Sequence, residues 1–382
     1  MPGLHTVALI NVGIVIIPMY LNAFEHRKNM FRIRCYRVGF ESSPEPPSRT
    51  PSYWREKVER AKNHKTIAFG LILGFLSPGL VFAAGESTGT QTNKSAGPVT
   101  FDLSIGTELM SGDTTYSIGG PIVYPDGSVV NAYFPFSQLE WPLDIWLARI
   151  DAGIDIGSSW RINAVVKKNI NDPGGNMKDS DWILPGSLDI FSESEISDFD
   201  ALIWDIDLEW VFMKRQVWEV YAGFGYQYQN FEYEAQGIYQ YSPSGLLGVE
   251  AYGDGSVSIT YEMTYRMPYF LMGTDFQVTP NFTLAGSFAY SPWVDAADED
   301  FHLARTPVLV SQGDMDGDGY MIDVAGTYRF LSSWFLKAGF HYLRIAVDGN
   351  QNQSFGGAAN GTVREESESN QISGYLSVGF TF

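Results

Sequence analysis

Cysteine is all but missing. The 382-residue chain has one, Cys35, and it lies near the N-terminus, so the body of the protein can hold no disulfide and must be stable without one. Histidine is nearly as scarce: past residue 83 only His302 and His341 occur. One or two histidines without a cysteine argue against a zinc centre, and neither a metal nor any other cofactor is expected. No serine sits in a nucleophile motif, which argues against a serine triad. No run of 18 apolar residues follows the N-terminal region, so helical membrane spans are excluded there. Basic residues are thin as well. Residues 1–83 carry 11 Lys+Arg against 5 Asp+Glu, leaving 14 against 39 in the remaining 299. An acidic body repels nucleic acid and favours cationic partners.

The basic N-terminal region has an internal order. Arg55 to Lys65 is charged, Thr66 to Phe82 is apolar, and Val81-Phe82-Ala83 ends on a small residue. That is the layout of a secretory signal peptide over 55–83, cut after Ala83; no cysteine follows, so it is not a lipoprotein signal. Residues 1–54 stand awkwardly in front of it. Val7 to Phe24 is apolar and could be read as an anchor, but it is short and broken by Pro18. The expectation is an over-extended gene start, with a mature domain over 84–382.

From Thr100 onward the hydrophobic period is two. Phe101, Leu103 and Ile105 alternate with Asp102, Ser104 and Gly106. Leu139, Trp141, Leu143, Ile145 and Leu147 alternate with polar residues, as do Leu202 to Phe212, Trp218 to Tyr226, Tyr261 to Leu271 and Phe282 to Phe288. In all, ten such strands can be counted, the last ending on Phe382. Their polar faces carry Asp205, Asp207, Glu209, Glu219, Glu262, Arg266, Arg329 and Lys337, too many charges for the face of a soluble sandwich. A closed ten-stranded antiparallel transmembrane β-barrel resolves this, with apolar residues toward lipid and polar residues inside. The 21 Tyr, 25 Phe and 10 Trp would supply its interfacial girdles. Short turns at 157–159, 213–216, 279–281 and 331–333 alternate with long polar loops at about 111–136, 168–200, 229–258, 291–318 and 348–370. That alternation places the long loops outside the cell.

Two of those loops are acidic. Asp179 and Asp181 follow Gly174-Gly175; Asp295, Asp298, Glu299, Asp300, Phe301 and His302 form the second cluster. Strand counting puts the first loop between strands 3 and 4 and the second between strands 7 and 8, nearly diametric, so they face each other across the external mouth. A neutral His302 could take a proton from water, with Asp300 orienting the ring and stabilising the cation. Asp179 and Asp181 could hold the same water and share a proton. His341 falls mid-strand and is expected to pack in the lumen. Asp314 to Gly319 reads like the start of a calcium loop, but its twelfth position would be Ala325, and a polar loop is preferred.

Gly174-Gly175-Asn176-Met177-Lys178-Asp179-Ser180-Asp181-Trp182, Ser137-Gln138-Leu139-Glu140-Trp141, Arg266-Met267-Pro268-Tyr269 and Tyr290-Ser291-Pro292-Trp293-Val294 resemble the omptins, ten-stranded outer-membrane endopeptidases. The resemblance runs from about Thr100 to Phe382. It implies that Asp300 and His302 activate water, that Asp179 and Asp181 complete the catalytic site, and that Asp298 and Glu193 shape substrate subsites for basic residues. A pocket glutamate of the family falls on Tyr116, whose ring could hold a cation by its face. Phe301 stands where the family has an acid. The family's lipopolysaccharide contacts match poorly: Tyr226 fits, but Tyr228 and Asn230 stand where an acid and an arginine are expected. The resemblance thus implies a protease acting on cationic polypeptides in the outer membrane, with lipopolysaccharide as a candidate requirement for activity. A non-catalytic barrel, an adhesin or structural protein, is the alternative.

Overall fold

The structure, a computed structural model, describes residues 99–245, 247–248 and 250–382. The expected extension over 1–54, the signal peptide over 55–83 and Cys35 lie outside the described residues. Among the described residues, fourteen strands account for the regular structure: β1 (Val99–Val123), β2 (Val129–Val130), β3 (Ser137–Pro142), β4 (Ile145–Ile156), β5 (Trp160–Asn169), β6 (Asn176–Asp181), β7 (Ile190–Lys214), β8 (Trp218–Tyr241), β9 (Glu250–Tyr252), β10 (Val257–Thr279), β11 (Phe282–His302), β12 (Leu309–Arg329), β13 (Trp334–Phe355) and β14 (Ala358–Thr381). Ten positions make an antiparallel ring. β3 prolongs β4 upward and β6 prolongs β5, pairing with each other and with the flanking β1 and β7. The ring closes where β14 pairs β1, from Asp102↔Thr381 upward. Closure leaves no unpaired edge in lipid, which is what a membrane-spanning sheet requires.

The strands are longer than the hydrophobic pattern alone suggests. β1 and β7 run 25 residues each, against about 9–11 needed to cross a bilayer. Most of the stretches expected as long external loops are therefore strand, and the barrel stands well above the membrane. Asp314 to Gly319, read as a polar loop, also lies within β12. There Asp314, Asp316 and Asp318 alternate outward along an extended backbone, which cannot wrap a cation as a calcium loop does.

The added height explains a second difference. In the lower barrel the apolar face points out, as expected: Phe101, Ile105, Ile206, Trp210, Phe224, Leu284 and Phe288 are exposed on the outer wall. Asp205, Asp207 and Glu209 face the lumen. In the upper barrel the faces exchange roles. Leu139, Trp141, Leu143, Ile145 and Leu147 share one parity and are buried, yet Arg149 and Asp151, with the same parity, are the polar lumen residues below them. Tyr261, Met263, Tyr265 and Met267 of β10 are likewise buried inside. These two sets were expected toward lipid. Above the lipid the outer solvent is water, so the apolar side gains by turning inward.

The inward aromatics form a plug across the barrel. Trp141 stacks on Tyr261 with centroids 4.8 Å apart and meets Tyr233 at 5.0 Å, while Tyr116 meets Tyr261 at 5.2 Å. Below the plug the lumen is polar. Fully buried Glu108 is held by Arg149 at 2.7 Å, Lys167 at 2.8 Å and the Ser373 hydroxyl at 2.7 Å. Beneath it a cavity of about 460 Å³ is lined by Arg161, Asp205, Asp207 and Lys337 among others. His341 sits in this lower lumen with Nδ1 3.6 Å from Asp323, the packing role expected of it.

Candidate active site

The two acidic groups sit on strands rather than loops, directly above the aromatic plug. Asp179 and Asp181 project from β6, where they are cross-strand partners of Leu139 and Ser137 on β3 and of Ser192 and Ile190 on β7. The β6–β7 connection is built by Asp189, which the sequence did not single out. Its fully buried carboxylate accepts the Ile183 and Leu184 N–H groups at 3.0 Å each and the hydroxyls of Ser187 and Ser244 at 2.9 and 2.8 Å. Burial opposes its charge, but those four donors outweigh burial and hold it below the usual carboxylate range. The loop is thereby fixed, and with it the strand that carries the aspartate pair.

Asp298, Asp300 and His302 end β11, all on the inner face by strand alternation. Asp300 is opposite Tyr261 on β10 and Ser311 on β12. His302 Nε2 lies 3.4 Å from Asp300 Oδ1, a loose contact. The other oxygen, Oδ2, accepts the hydroxyl of Tyr116, which reaches across the interior from β1. Burial disfavours the Asp300 carboxylate, but His302, Tyr116 and Ser311 outweigh it, so it stays ionised below the usual range. Tyr116 is pushed the opposite way: burial, then the Asp300 charge, raise its hydroxyl well above the ordinary value. It therefore remains a donor.

The facing pair is tuned differently. Burial, then the charge of Asp181, push Asp179 well above the usual carboxylate range. Burial also raises Asp181, while Arg305, Ser137 and His302 pull it back. Two close carboxyls with raised values retain a proton between them. Asp179 also feels the charge of Asp300, as Asp181 feels that of His302. The four groups thus occupy one electrostatic neighbourhood. Arg305 lies just past β11, its N–H bonded to the His302 carbonyl at 3.2 Å. Neither Arg305 nor the contact of Tyr116 with Asp300 was legible in the motifs.

Two sequence expectations change. Tyr116 is only 1 % exposed, with its ring against Tyr261, so no ring face is free for a substrate cation; its hydroxyl serves Asp300 instead. Glu193 pairs with Lys178 on β6 and Tyr239 on β8, one residue out of phase with Ser192, the partner of Asp179. Alternation puts Glu193 on the outer face, away from the cleft; the inward positions there are the buried Ser192 and Ser194.

The sequence model of the omptin family matches residues 99–382. The chain belongs to the omptin family. Among curated proteins, this omptin is 25% identical over 255 residues to the outer membrane protease OmpP of Escherichia coli K12, covering 63% of this chain and 76% of that protein. It is 26% identical over 174 residues to the plasminogen activator of Yersinia pestis, covering 44% of this chain and 55% of the relative. In the latter match the chain spans about half the length of its relative. The crystal structure of the outer membrane protease OmpT from Escherichia coli superposes with a TM-score of 0.64 at 20% identity, covering 76% of this chain and 99% of that one; it shares the barrel fold. Family and fold place this omptin in the outer membrane and support a protease function.

Proposed function

We propose that this omptin is an endopeptidase that hydrolyses peptide bonds beside basic residues with activated water. One observation carries the reading: Tyr116 is in register with Leu139 and Leu139 with Asp179, while the Tyr116 hydroxyl reaches Asp300 beside His302, which draws the Asp179/Asp181 pair on β6 and the Asp300/His302 pair on β11 together above an aromatic floor. His302 takes a proton from the attacking water, and ionised Asp300 orients the ring and stabilises the cation formed. The Asp179/Asp181 pair, holding a proton, is suited to hydrogen-bond the water and the carbonyl oxygen that becomes negative. His302 then returns the proton to the leaving amine. The plug of Tyr116, Trp141, Tyr233 and Tyr261 excludes bulk water from below, which strengthens each charge interaction above it.

The acidic cleft supports a cationic P1 side chain, Arg or Lys, drawn to Asp298. No cofactor is needed for these steps. On the outer wall, Trp204 stacks on Tyr226 at 5.4 Å and Tyr228 at 5.7 Å, next to Arg266 in cross-strand register. That surface suits an anionic outer-leaflet lipid such as lipopolysaccharide. The test is a quenched dibasic peptide incubated with refolded protein. His302→Ala, Asp300→Asn and Asp179→Asn should each lose several orders of magnitude in rate while heat-modifiable gel mobility shows an intact barrel. An active His302→Ala protein would overturn the mechanism. A wild-type barrel that leaves every peptide intact would return the non-catalytic alternative.

A further inference from the structure

Asp298 is not the lone acid at its level of the barrel. Glu365 projects inward from β14, three ring positions away, and its carboxyl meets that of Asp298 over Gly313 of the intervening β12. Both oxygens lie where a Cβ at position 313 would stand, so only glycine leaves room for them. Glu365 is fully buried and Asp298 is 7 % exposed. Each carboxyl has one oxygen satisfied: Asp298 Oδ1 accepts the Gly313 N–H at 2.9 Å, and Glu365 Oε1 accepts the Gln351 amide at 3.0 Å. The second oxygens, Asp298 Oδ2 and Glu365 Oε2, are buried without a hydrogen-bond donor, as is the Tyr261 hydroxyl near them. Among the described residues, neither acid has an ion-pair partner. Buried polar atoms are ordinarily matched, and leaving carboxyl oxygens unmatched is costly. Two buried carboxyls side by side, each with one oxygen unmatched, suit a donor-rich cation brought by a ligand.

We infer that Glu365 is a second acid of the P1 pocket, acting with Asp298 on the guanidinium or ammonium group of the substrate; the inference rests on the proposed cleavage beside basic residues. The geometry offers two carboxyls from different strands to one cation, an arrangement a planar guanidinium can bridge. Tyr116, where the acid of the first strand was expected, gives its hydroxyl to Asp300, so Glu365 restores an acid to the pocket from the other side of β1. In the empty pocket the two acids repel ionisation. Burial, then the charge of Asp300, push Asp298 up to about 7, and burial, then Asp298, raise Glu365 well above its ordinary value. The pair therefore holds a proton at neutral pH, and entry of a cationic side chain releases it. Preference for a basic P1 residue accordingly strengthens as pH rises.

The experiment measures kcat/KM for two quenched peptides that differ only at P1, arginine against norleucine, from about pH 6 to about pH 9. Their ratio cancels effects on His302 and on the water-activating step. In the wild type the ratio should climb with pH. Glu365→Gln removes the second charge, so the ratio should change little at low pH and fall on the order of tenfold or more at high pH, flattening the profile. Glu365→Asp keeps the charge, so it should keep the slope at a reduced ratio, a rescue that a purely structural role would not give. Heat-modifiable mobility checks that each variant is folded. If Glu365→Gln tracks the wild type at every pH while Asp298→Asn loses the preference, Glu365 is not part of the pocket and the P1 reading stands on Asp298 alone. A wild-type ratio near one across the range overturns both.

Discussion

Tyr116→Phe is the sharpest single-atom perturbation the site offers. It deletes the hydroxyl that Asp300 Oδ2 accepts and leaves the ring, with its 5.2 Å packing on Tyr261, in place. The lost contact is a buried hydrogen bond to a charged group, worth about 1.5–3 kcal/mol. Asp300 must be ionised to orient His302, so part of that loss should appear as tighter proton holding by Asp300. At 1.36 kcal/mol per unit, the acid limb of kcat/KM should move upward by up to about one to two pH units. The sign follows from Asp300, whose carboxylate is now below its usual range with help from Tyr116; without that donor it becomes more basic and attracts the proton more strongly. The remainder should appear as a rate loss of about tenfold above the limb, because a less restrained Asp300 orients His302 less well. The assay is a pH–rate profile on a quenched basic peptide, with gel mobility as the folding control. Should Tyr116 instead serve substrate by its ring face, phenylalanine would preserve the function. A variant with wild-type rate and an unshifted acid limb would refute the hydrogen-bond role.

Three further outcomes are expected. Glu108→Leu should destabilise the barrel by about 3–5 kcal/mol, because it leaves Arg149 and Lys167 buried without their shared acid; urea unfolding in detergent would show an unshifted midpoint if the cluster were solvated instead. Asp179→Asn should stabilise the fold in a pH-dependent way. The folded value of Asp179 is raised, so its proton is kept in both states below the ordinary carboxylate range, and stability is lost as pH rises through the folded value. The gap in unfolding midpoint between variant and wild type should therefore widen from about pH 4 to about pH 8, and a constant gap would contradict the assigned burial. Activity of the refolded protein should rise when lipopolysaccharide is added, and Arg266→Ala should blunt that rise; equal activity in its presence and absence would remove the lipid from the account.

Much of the fold was legible because a barrel has one rule per strand. Alternation at Leu202–Phe212 and Trp218–Tyr226 located β7 and β8, and ten such stretches set the ring size. Alternation does not say which face is which, however. Leu139–Leu147 and Tyr261–Met267 have the same period as the lipid-facing sets but lie where water surrounds the barrel, so their apolar side turns in. The boundary falls where the polar partners change, near Leu147 and Pro268. From there one side passes from Trp141 and Leu143 to Arg149 and Asp151, while the other passes from Glu140 and Asp144 to Trp146 and Ile150. That exchange along a single strand is readable, but only once each strand is allowed to outlast the membrane.

Strand parity and register also separate the site residues that motifs can find from those they cannot. Asp179 with Asp181, and Asp298 with Asp300 and His302, keep even spacing on one strand, so each set shares a face whatever the rest of the chain does. Glu193 needed one more fact, its parity relative to Asp179 across the β6–β7 hairpin, and a single residue of register decides whether it meets substrate or solvent. Glu365 needed three: the pairings of β11 with β12, β12 with β13, and β13 with β14, which carry Asp298 past Gly313 and Gln351 to Val363, two residues from Glu365 on the same inner face. No local pattern marks that position, since Glu365 and Glu366 adjoin on β14 and only alternation separates them. Glu366 points out and pairs with Arg364 at 2.5 Å; Glu365 points in and has no cation. An acid with a neighbouring arginine is explained by its surface, whereas one buried beside a second acid is explained only by what the cleft takes in.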